Sequence, residues 1–263
     1  MGTKEENRKE KLNLLLTLAM EDFRNKYAGS FIGTVWAFVN PLMTILIYWF
    51  IFQVGFKSAP VEDYPFVLWL VSGLLPWFLI SEVLPGSTAC LAQYSYLVKK
   101  IAFDVTMLPL IKILSGLIIQ VFLIVITIVI FCFCGFMPDL YYLQILPYLL
   151  YTCLLVMGVG YFTAALYAFF RDILQIVNIG LQILFWLTPI VWNYEIMPPF
   201  VQKIIVLNPV YYVVSGYRSA FIYKSAFFQN TVLFYYYWIL VIVIAFLGRK
   251  FYSSVKEHFA DVL

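Results

Sequence analysis

The chain has 263 residues, 63% of them hydrophobic and only 12% charged, with a formal net charge of +3. Soluble domains average about 45–50% apolar and about 25% charged residues. That excludes a soluble globular domain as the default and leaves a polytopic membrane protein. The net charge says little by itself; where the cations fall says more.

Residues 1–11 carry Lys4, Arg8, Lys9 and Lys11, as the basic start of a signal peptide would. The apolar stretch 12–20 is interrupted at once by Glu21-Asp22-Phe23-Arg24, and no small-residue cleavage site follows, so no cleavable leader is expected. Over 11–27, Leu12, Leu15, Leu16, Ala19, Phe23 and Tyr27 recur at helical spacing, with Asn13, Glu21, Arg24 and Lys26 elsewhere around the turn. The pattern predicts an amphipathic helix, too polar to span and suited to the plane of the membrane interface. A solvated extension ahead of the first span is the alternative.

The stretch 23–56 organises the rest of the chain. Its basic start, Arg24 and Lys26, precedes an almost uncharged run to Phe56. A bilayer core of about 30 Å needs about 20 apolar residues as a helix, so span one is placed at 31–56. Gly29 and Gly33 form a G-x-x-x-G at its mouth, which serves either close helix approach or loop flexibility. Span two is placed at 66–89 and is expected to kink or break at Pro76 and Pro85. Glu82 is then an intramembrane acid, unless the helix ends near Pro85 and Glu82 reaches the interface, which is the favoured expectation.

Residues 90–105 break the apolar pattern. Lys99, Lys100 and Asp104 alternate with Tyr96, Leu97, Ile101 and Phe103, which predicts a short amphipathic helix on the same side as the N-terminus. Span three is placed at 107–135, with Lys112 snorkelling to the interface. A tight turn at Met137-Pro138-Asp139 leads to span four at 143–168, where Gly158-x-Gly160 reads as helix packing and not as a dinucleotide motif. Arg171-Asp172 marks the next turn, and span five is placed at 173–192. Residues 193–225 contain two apolar pieces too short to span, one on each side of Asn208-Pro209, expected as short outer helices. Span six is placed at 231–248, followed by Arg249-Lys250 and a tail. Under this scheme four of the 17 cations, Lys57, Lys203, Arg218 and Lys224, fall outside and the rest inside, so both termini are expected in the cytoplasm.

The missing chemistry is also informative. The sequence has no G-x-x-x-x-G-K-[ST] motif to cradle a nucleotide. It has a single histidine, His258, and too few intramembrane acids for a proton relay. Cys132-x-Cys134 with Cys90, Cys153 and His258 makes no convincing metal set, and packing is the expected role. An independently powered transporter or an intramembrane enzyme is therefore disfavoured. The abundant resource is aromatic: 25 Phe, 20 Tyr and 7 Trp. Such rings serve as interface belts or helix packing, or as a stacking track for sugar rings, and composition does not choose between these.

Phe23-Arg24-Asn25-Lys26-Tyr27-Ala28-Gly29-Ser30-Phe31-Ile32-Gly33 followed by Trp36-Ala37-Phe38-x-Asn40-Pro41-Leu42 resembles the opening of the permease subunits of ABC-2 type polysaccharide exporters, which serve O-antigen, capsular polysaccharide and teichoic acid. The resemblance continues through Leu97–Phe103, Leu108-Pro109-Leu110, Tyr167-x-x-Phe170-Arg171-Asp172-Ile173, Leu187-Thr188-Pro189-Ile190, Leu207-Asn208-Pro209-Val210 and Gly216-Tyr217-Arg218, and so covers almost the whole chain. Asp104 departs from it, at a position where proline is expected in many members.

Run lengths and cation bias together predict an all-α integral membrane protein with six transmembrane helices, an N-terminal interfacial amphipathic helix and short re-entrant outer helices between spans five and six. This reading places a cytoplasmic N-terminus and interfacial helix at 1–30, the membrane domain at 31–253 and a cytoplasmic tail at 254–263. The resemblance implies a homodimer joined to two copies of a separate ATP-binding subunit, with ATP and magnesium in that subunit and no cofactor, catalytic residue or metal in this chain. It implies export of a glycan on undecaprenyl diphosphate across the bacterial cytoplasmic membrane, with membrane lipid as a further partner and no nucleic acid. Tyr96, Leu97, Lys99, Lys100, Ile101 and Phe103 are then the expected ATPase-coupling surface. Phe23, Arg24, Lys26 and Tyr27 are the expected interfacial and lipid-head-group residues, and Trp36, Tyr48, Trp186 and Tyr211 the candidates for a glycan tunnel. The alternatives are an ABC-2 permease for a small drug or lipid, or a membrane protein outside the ABC class such as a glycan flippase or anchor.

Overall fold

A computed structural model describes residues 2–26, 28–61, 63–99 and 103–262. The described residues are helical apart from turns and one isolated antiparallel bridge between Val61 and Tyr64. Their order is α1 (Gly2–Asn25), α2 (Trp36–Trp49, continued by a wider turn to Gly55), α3 (Phe66–Gln93), α4 (Ser95–Val98), α5 (Met107–Phe133), α6 (Ile145–Phe169), α7 (Ile173–Leu187), α8 (Pro199–Val206), α9 (Pro209–Arg218, continued to Tyr223), α10 (Thr231–Val255) and α11 (Phe259–Val262). Five stretches are long and apolar enough to cross a bilayer: Gly33–Gly55, Phe66–Gln93, Met107–Phe133, Leu140–Phe169 and Thr231–His258. They coincide with spans one, two, three, four and six of the sequence reading. The fifth expected span is the 15-residue α7, about 23 Å long at 1.5 Å per residue, which turns aside at Thr188-Pro189.

α3 is the central element. In its most apolar stretch 78% of residues are buried, against 6% for Gly33–Gly55, so α3 is a core helix and α2 lies on the outside of the bundle. Pro76 and Pro85 do not end α3, which runs on to Gln93. The expectation that the helix stops near Pro85 is thereby corrected. With packed neighbours on most sides, α3 keeps its helical path despite the hydrogen bonds the two prolines cannot make.

α10 packs along α6 where Gly158 faces Gly248 and Ala245. A Cβ on Gly158 would stand 2.6 Å from the Ala245 backbone nitrogen, and one on Gly248 would collide with the Gly158 carbonyl. Small residues here let two spans approach backbone to backbone. Asp104, the departure from the expected proline, starts α5 by another route: its Oδ1 accepts from the Thr106 amide at 3.2 Å and from the Thr106 hydroxyl at 2.7 Å. After α10 the chain turns back, and Phe259 is fully buried against Tyr252 and Phe169.

Candidate functional site

The functional features fall at the two ends of α3. At its C-terminal end, α1 lies across the bundle and is pinned by charge. Lys112 Nζ on α5 meets Asp22 Oδ1 on α1 at 2.5 Å, with both side chains largely buried. The Tyr94 hydroxyl donates to the same oxygen at 2.5 Å, and burial together with this bond pushes the Tyr94 phenol well above its ordinary pKa. One turn further along the chain, Lys26 Nζ meets Glu82 Oε1 on α3 at 2.5 Å, in a more exposed setting. Lys112 therefore does not snorkel, contrary to the sequence-based expectation. An acid delivered by another element gives it a partner at depth.

Sequence reasoning misses Asp22. The signal is present: Asp22 lies three residues after Ala19 and four before Lys26, on the face that carries Ala19 and Phe23, and Lys112 is a lone cation in an apolar run. The expectation for Phe23 is also corrected. It is buried in the core, with its ring 6.1 Å from Phe38, and does not face lipid. Leu12 and Leu16 are exposed apolar residues of α1, and Arg24 is exposed. Tyr27 lies outside the described residues.

Around these pairs is a polar cavity of about 500 Å³ lined by Asp22, Asn25, Lys26, Glu82, Gln93, Tyr94, Tyr96, Lys112 and Ser115. A second cavity of about 470 Å³, lined by Asn40, Thr44, Ser81 and the same Lys26 and Glu82, lies between α2, α3 and α5. The Lys26–Glu82 pair thus forms a wall common to both.

The expected coupling segment keeps only part of its predicted form. Its helix is the single turn Ser95–Val98, and Lys100 and Ile101 lie outside the described residues. Tyr96 and Lys99 are exposed. Leu97 and Phe103 are half-buried against a cluster that includes Ala19, Cys90, Leu108, Tyr252 and Phe259, so they hold the segment to the bundle and do not project as free anchors.

The tunnel candidates separate. Tyr48 on α2 stacks on Phe185 of α7, with centroids 5.9 Å apart and planes 20° apart, and Phe185 also meets Trp77 and Trp186 at 5.3 Å. Tyr48 and Trp186 thus join one aromatic group across α2, α3 and α7. Trp36 is exposed at the other end of α2. Tyr211 belongs to the far end of α3, where its ring packs edge to face on Tyr194 at 5.5 Å.

That far end holds the residue most misread from sequence. Arg218 counts among the outer cations in the charge reading, yet it is 5% exposed. Its guanidinium lies 3.4 Å from the centroid of the Trp69 ring and donates to the carbonyls of Pro189, Ile190 and Trp69 at 2.7, 2.5 and 3.4 Å. Gly73 makes the space, because a Cβ there would stand 2.6 Å from Arg218 Nη2. Nearby, Lys224 Nζ bridges to Asp139 Oδ2 at 2.8 Å, and this bond raises the lysine pKa.

Long apolar spans, a charged helix laid across one end and short helices at the other define a multi-pass membrane protein with the form of a transport component. The family comparison agrees: residues 13–222 match the ABC-2 type transporter family, well over half of the chain, and the chain belongs to that family. It is similar to two proteins of Klebsiella pneumoniae named O-antigen export system permease protein RfbA, at 25% and 26% identity over 253 and 257 residues, covering 95% of both chains in each case. It is also similar to a protein of that name from Myxococcus xanthus, 25% identical over 210 residues, covering 79% of this chain and 80% of the other. Membership makes this chain a membrane component of transport.

Proposed function

We propose that this chain is the permease subunit of an exporter that moves an O-antigen-like polysaccharide, carried on undecaprenyl diphosphate, across the bacterial cytoplasmic membrane. Two permease chains pair with two copies of a separate ATP-binding subunit, which holds the ATP and magnesium. The observation that carries the reading is the end-to-end similarity, 95% of both chains, to permeases named for O-antigen export.

The geometry supports this reading at several places. Exposed Tyr96 on α4 and Lys99 just after it offer the ATP-binding subunit a grip, with the aromatic residue giving affinity and the charge orientation. α1 is tied to α3 and α5 through Lys26–Glu82 and Asp22–Lys112, so movement at this end passes into two spans. Arg24, Lys26 and Lys99 attract the diphosphate or anionic lipid. Trp186, exposed beside Phe185, offers a ring face on which sugars slide.

The test is complementation. A strain lacking this gene should accumulate lipid-linked glycan on the inner leaflet and lose surface polysaccharide, and the gene should restore export only together with its ATP-binding partner. Normal surface polysaccharide in the deletion strain, with a defect in expelling a small drug or lipid, would overturn the reading.

A further inference from the structure

At the end of the bundle opposite α1, a cavity of about 480 Å³ opens between the start of α3, the turn at 193–195 and α9. Its volume lies within the roughly 300–1,000 Å³ usual for small-molecule sites. Tyr194, Tyr211 and Tyr223 supply aromatic surface, and Asn193, Glu195 and Arg218 supply polar groups. The Tyr194 and Tyr211 rings are inclined at 62°, so they present two faces at an angle rather than one flat wall. Trp69 is not free to stack: Arg218 covers its ring, and its Nε1 donates to the Tyr223 hydroxyl at 3.0 Å.

Arg218 is fixed at the back of this cavity. A guanidinium carries five N–H donors, and the three carbonyl contacts engage one on each nitrogen, which leaves donor capacity on both terminal nitrogens. Among the described residues no carboxylate lies within 4.0 Å of it. Burial of a cation without a counter-charge is unfavourable, and the carbonyls and the Trp69 ring offset that cost. The result is a rigid donor group whose orientation is set before any ligand arrives. At the mouth, Glu195 is exposed, and Asn193 Nδ2 donates to its Oε2 at 3.2 Å. A donor at the back and an acceptor at the mouth give the lining no net charge from this pair. An anion would meet Glu195 and a cation would meet Arg218, whereas a neutral polyol engages both.

We propose that this cavity is a saccharide site for a neutral sugar unit, with Tyr194 and Tyr211 packing on the apolar face of the ring and Arg218 and Glu195 donating to and accepting from its hydroxyls. The inference rests on the polysaccharide reading and adds where a sugar is held and which charge class it has. The site stands at the far end of α3 from the Lys26–Glu82 pair, 13 residues or about 20 Å along the helix from Trp69 to Glu82. It holds glycan that has already passed the coupling end.

The test uses the intact permease in lipid nanodiscs and saturation-transfer NMR, which reads millimolar binding. The probes are the methyl glycosides of glucose, galactose, mannose and N-acetylglucosamine, with methyl glucuronide and inorganic phosphate beside them. At least one neutral glycoside should receive saturation at its ring C–H protons. Tyr194→Ala and Tyr211→Ala should each weaken that binding at least tenfold, Tyr211→Phe should retain it, and Glu195→Gln should improve binding of methyl glucuronide relative to wild type. Should Tyr211→Ala fold poorly, Tyr194→Ala, on a surface turn, carries the comparison. Absence of binding by every neutral glycoside, binding that survives both alanine changes, or a preference for phosphate or glucuronide would overturn the proposal. The assay needs neither ATP nor transport. Failure here with polysaccharide export intact would refute the site alone, and loss of the export reading would show separately in complementation.

Discussion

The Asp22–Lys112 pair offers a quantitative check on how α1 is held. At 2.5 Å and an effective dielectric of about 20, the attraction is about 7 kcal/mol before desolvation. Withdrawing both ions from water costs several kcal/mol each, so the pair is worth little against a well-packed apolar replacement. Removing one partner is different and costs about 3–5 kcal/mol, because the other charge is left buried. The two removals are not equivalent. Lys112 has a long stem that can swing to the interface when Asp22 is lost. Asp22 is short and cannot reach the interface; without Lys112 it keeps only the Tyr94 hydroxyl and its place in the wall of the polar cavity.

Lys112→Met is therefore expected to cost the full amount, about 3–5 kcal/mol, Asp22→Leu less, and the double variant less than either single. The assay is maleimide labelling of a cysteine at Ala19, 3% exposed in the docked helix, in a protein lacking its four native cysteines. A loss of about 3 kcal/mol corresponds to roughly 100-fold faster labelling for Lys112→Met, with most of the protection restored in the double variant. Labelling of both single variants at the wild-type rate, or a double variant equal to the sum of the singles, would refute the reasoning.

Four further outcomes are expected. Tyr96→Asp should lower co-purification of the ATP-binding subunit without loss of permease stability, whereas Phe103→Asp should destabilise the permease itself, because only Phe103 is packed against the bundle; thermal melting and pull-down separate the two. A cysteine at Lys99 should label only from the cytoplasmic side in intact cells, and labelling from outside would invert the topology. Gly248→Ala should lower stability by about 1–3 kcal/mol or more, read as a lower melting temperature, because its Cβ would meet the Gly158 carbonyl. Alanine at Trp36, Tyr48, Trp186 and Tyr211 together should shorten or reduce exported glycan while the protein still assembles, and unchanged export would place the track elsewhere.

Much of the fold is legible because apolar run length is a strong signal in a membrane protein. Span three is expected at 107–135 and found at Met107–Phe133, and the short helices around Asn208-Pro209 lie where two pieces too short to cross are expected. The readings that fail depend on partners far away in sequence. Pro85 reads as a helix end only if the helix is considered alone. Lys112 reads as a snorkelling residue only while Asp22, 90 positions earlier, is read as one more charge on an interfacial helix. Arg218 reads as a solvated cation because neither the carbonyls of Pro189 and Ile190 nor the space left by Gly73 can be inferred from its neighbours. Charge counting locates cations by side; it carries no information on depth.

The distribution of burial bears on where a polymer can pass. α3 is enclosed, while α2 and α7, which flank it, turn apolar and aromatic faces outward, with Leu46, Ile47 and Phe50 on one and Ile179, Ile183 and Trp186 on the other all exposed. The group of Tyr48, Phe185 and Trp186 joins these two faces. A track on such a surface is closed on one side only by this chain, so a passage sealed from lipid needs a second wall. The proposed homodimer supplies it by setting two copies of the same face against each other. The Lys26–Glu82 pair at one end and the Arg218 cavity at the other would then stand at either end of the same helix beside that passage. In that arrangement, movement delivered to α1 would reach α3 through the Lys26–Glu82 pair and be carried along the helix toward the proposed saccharide site.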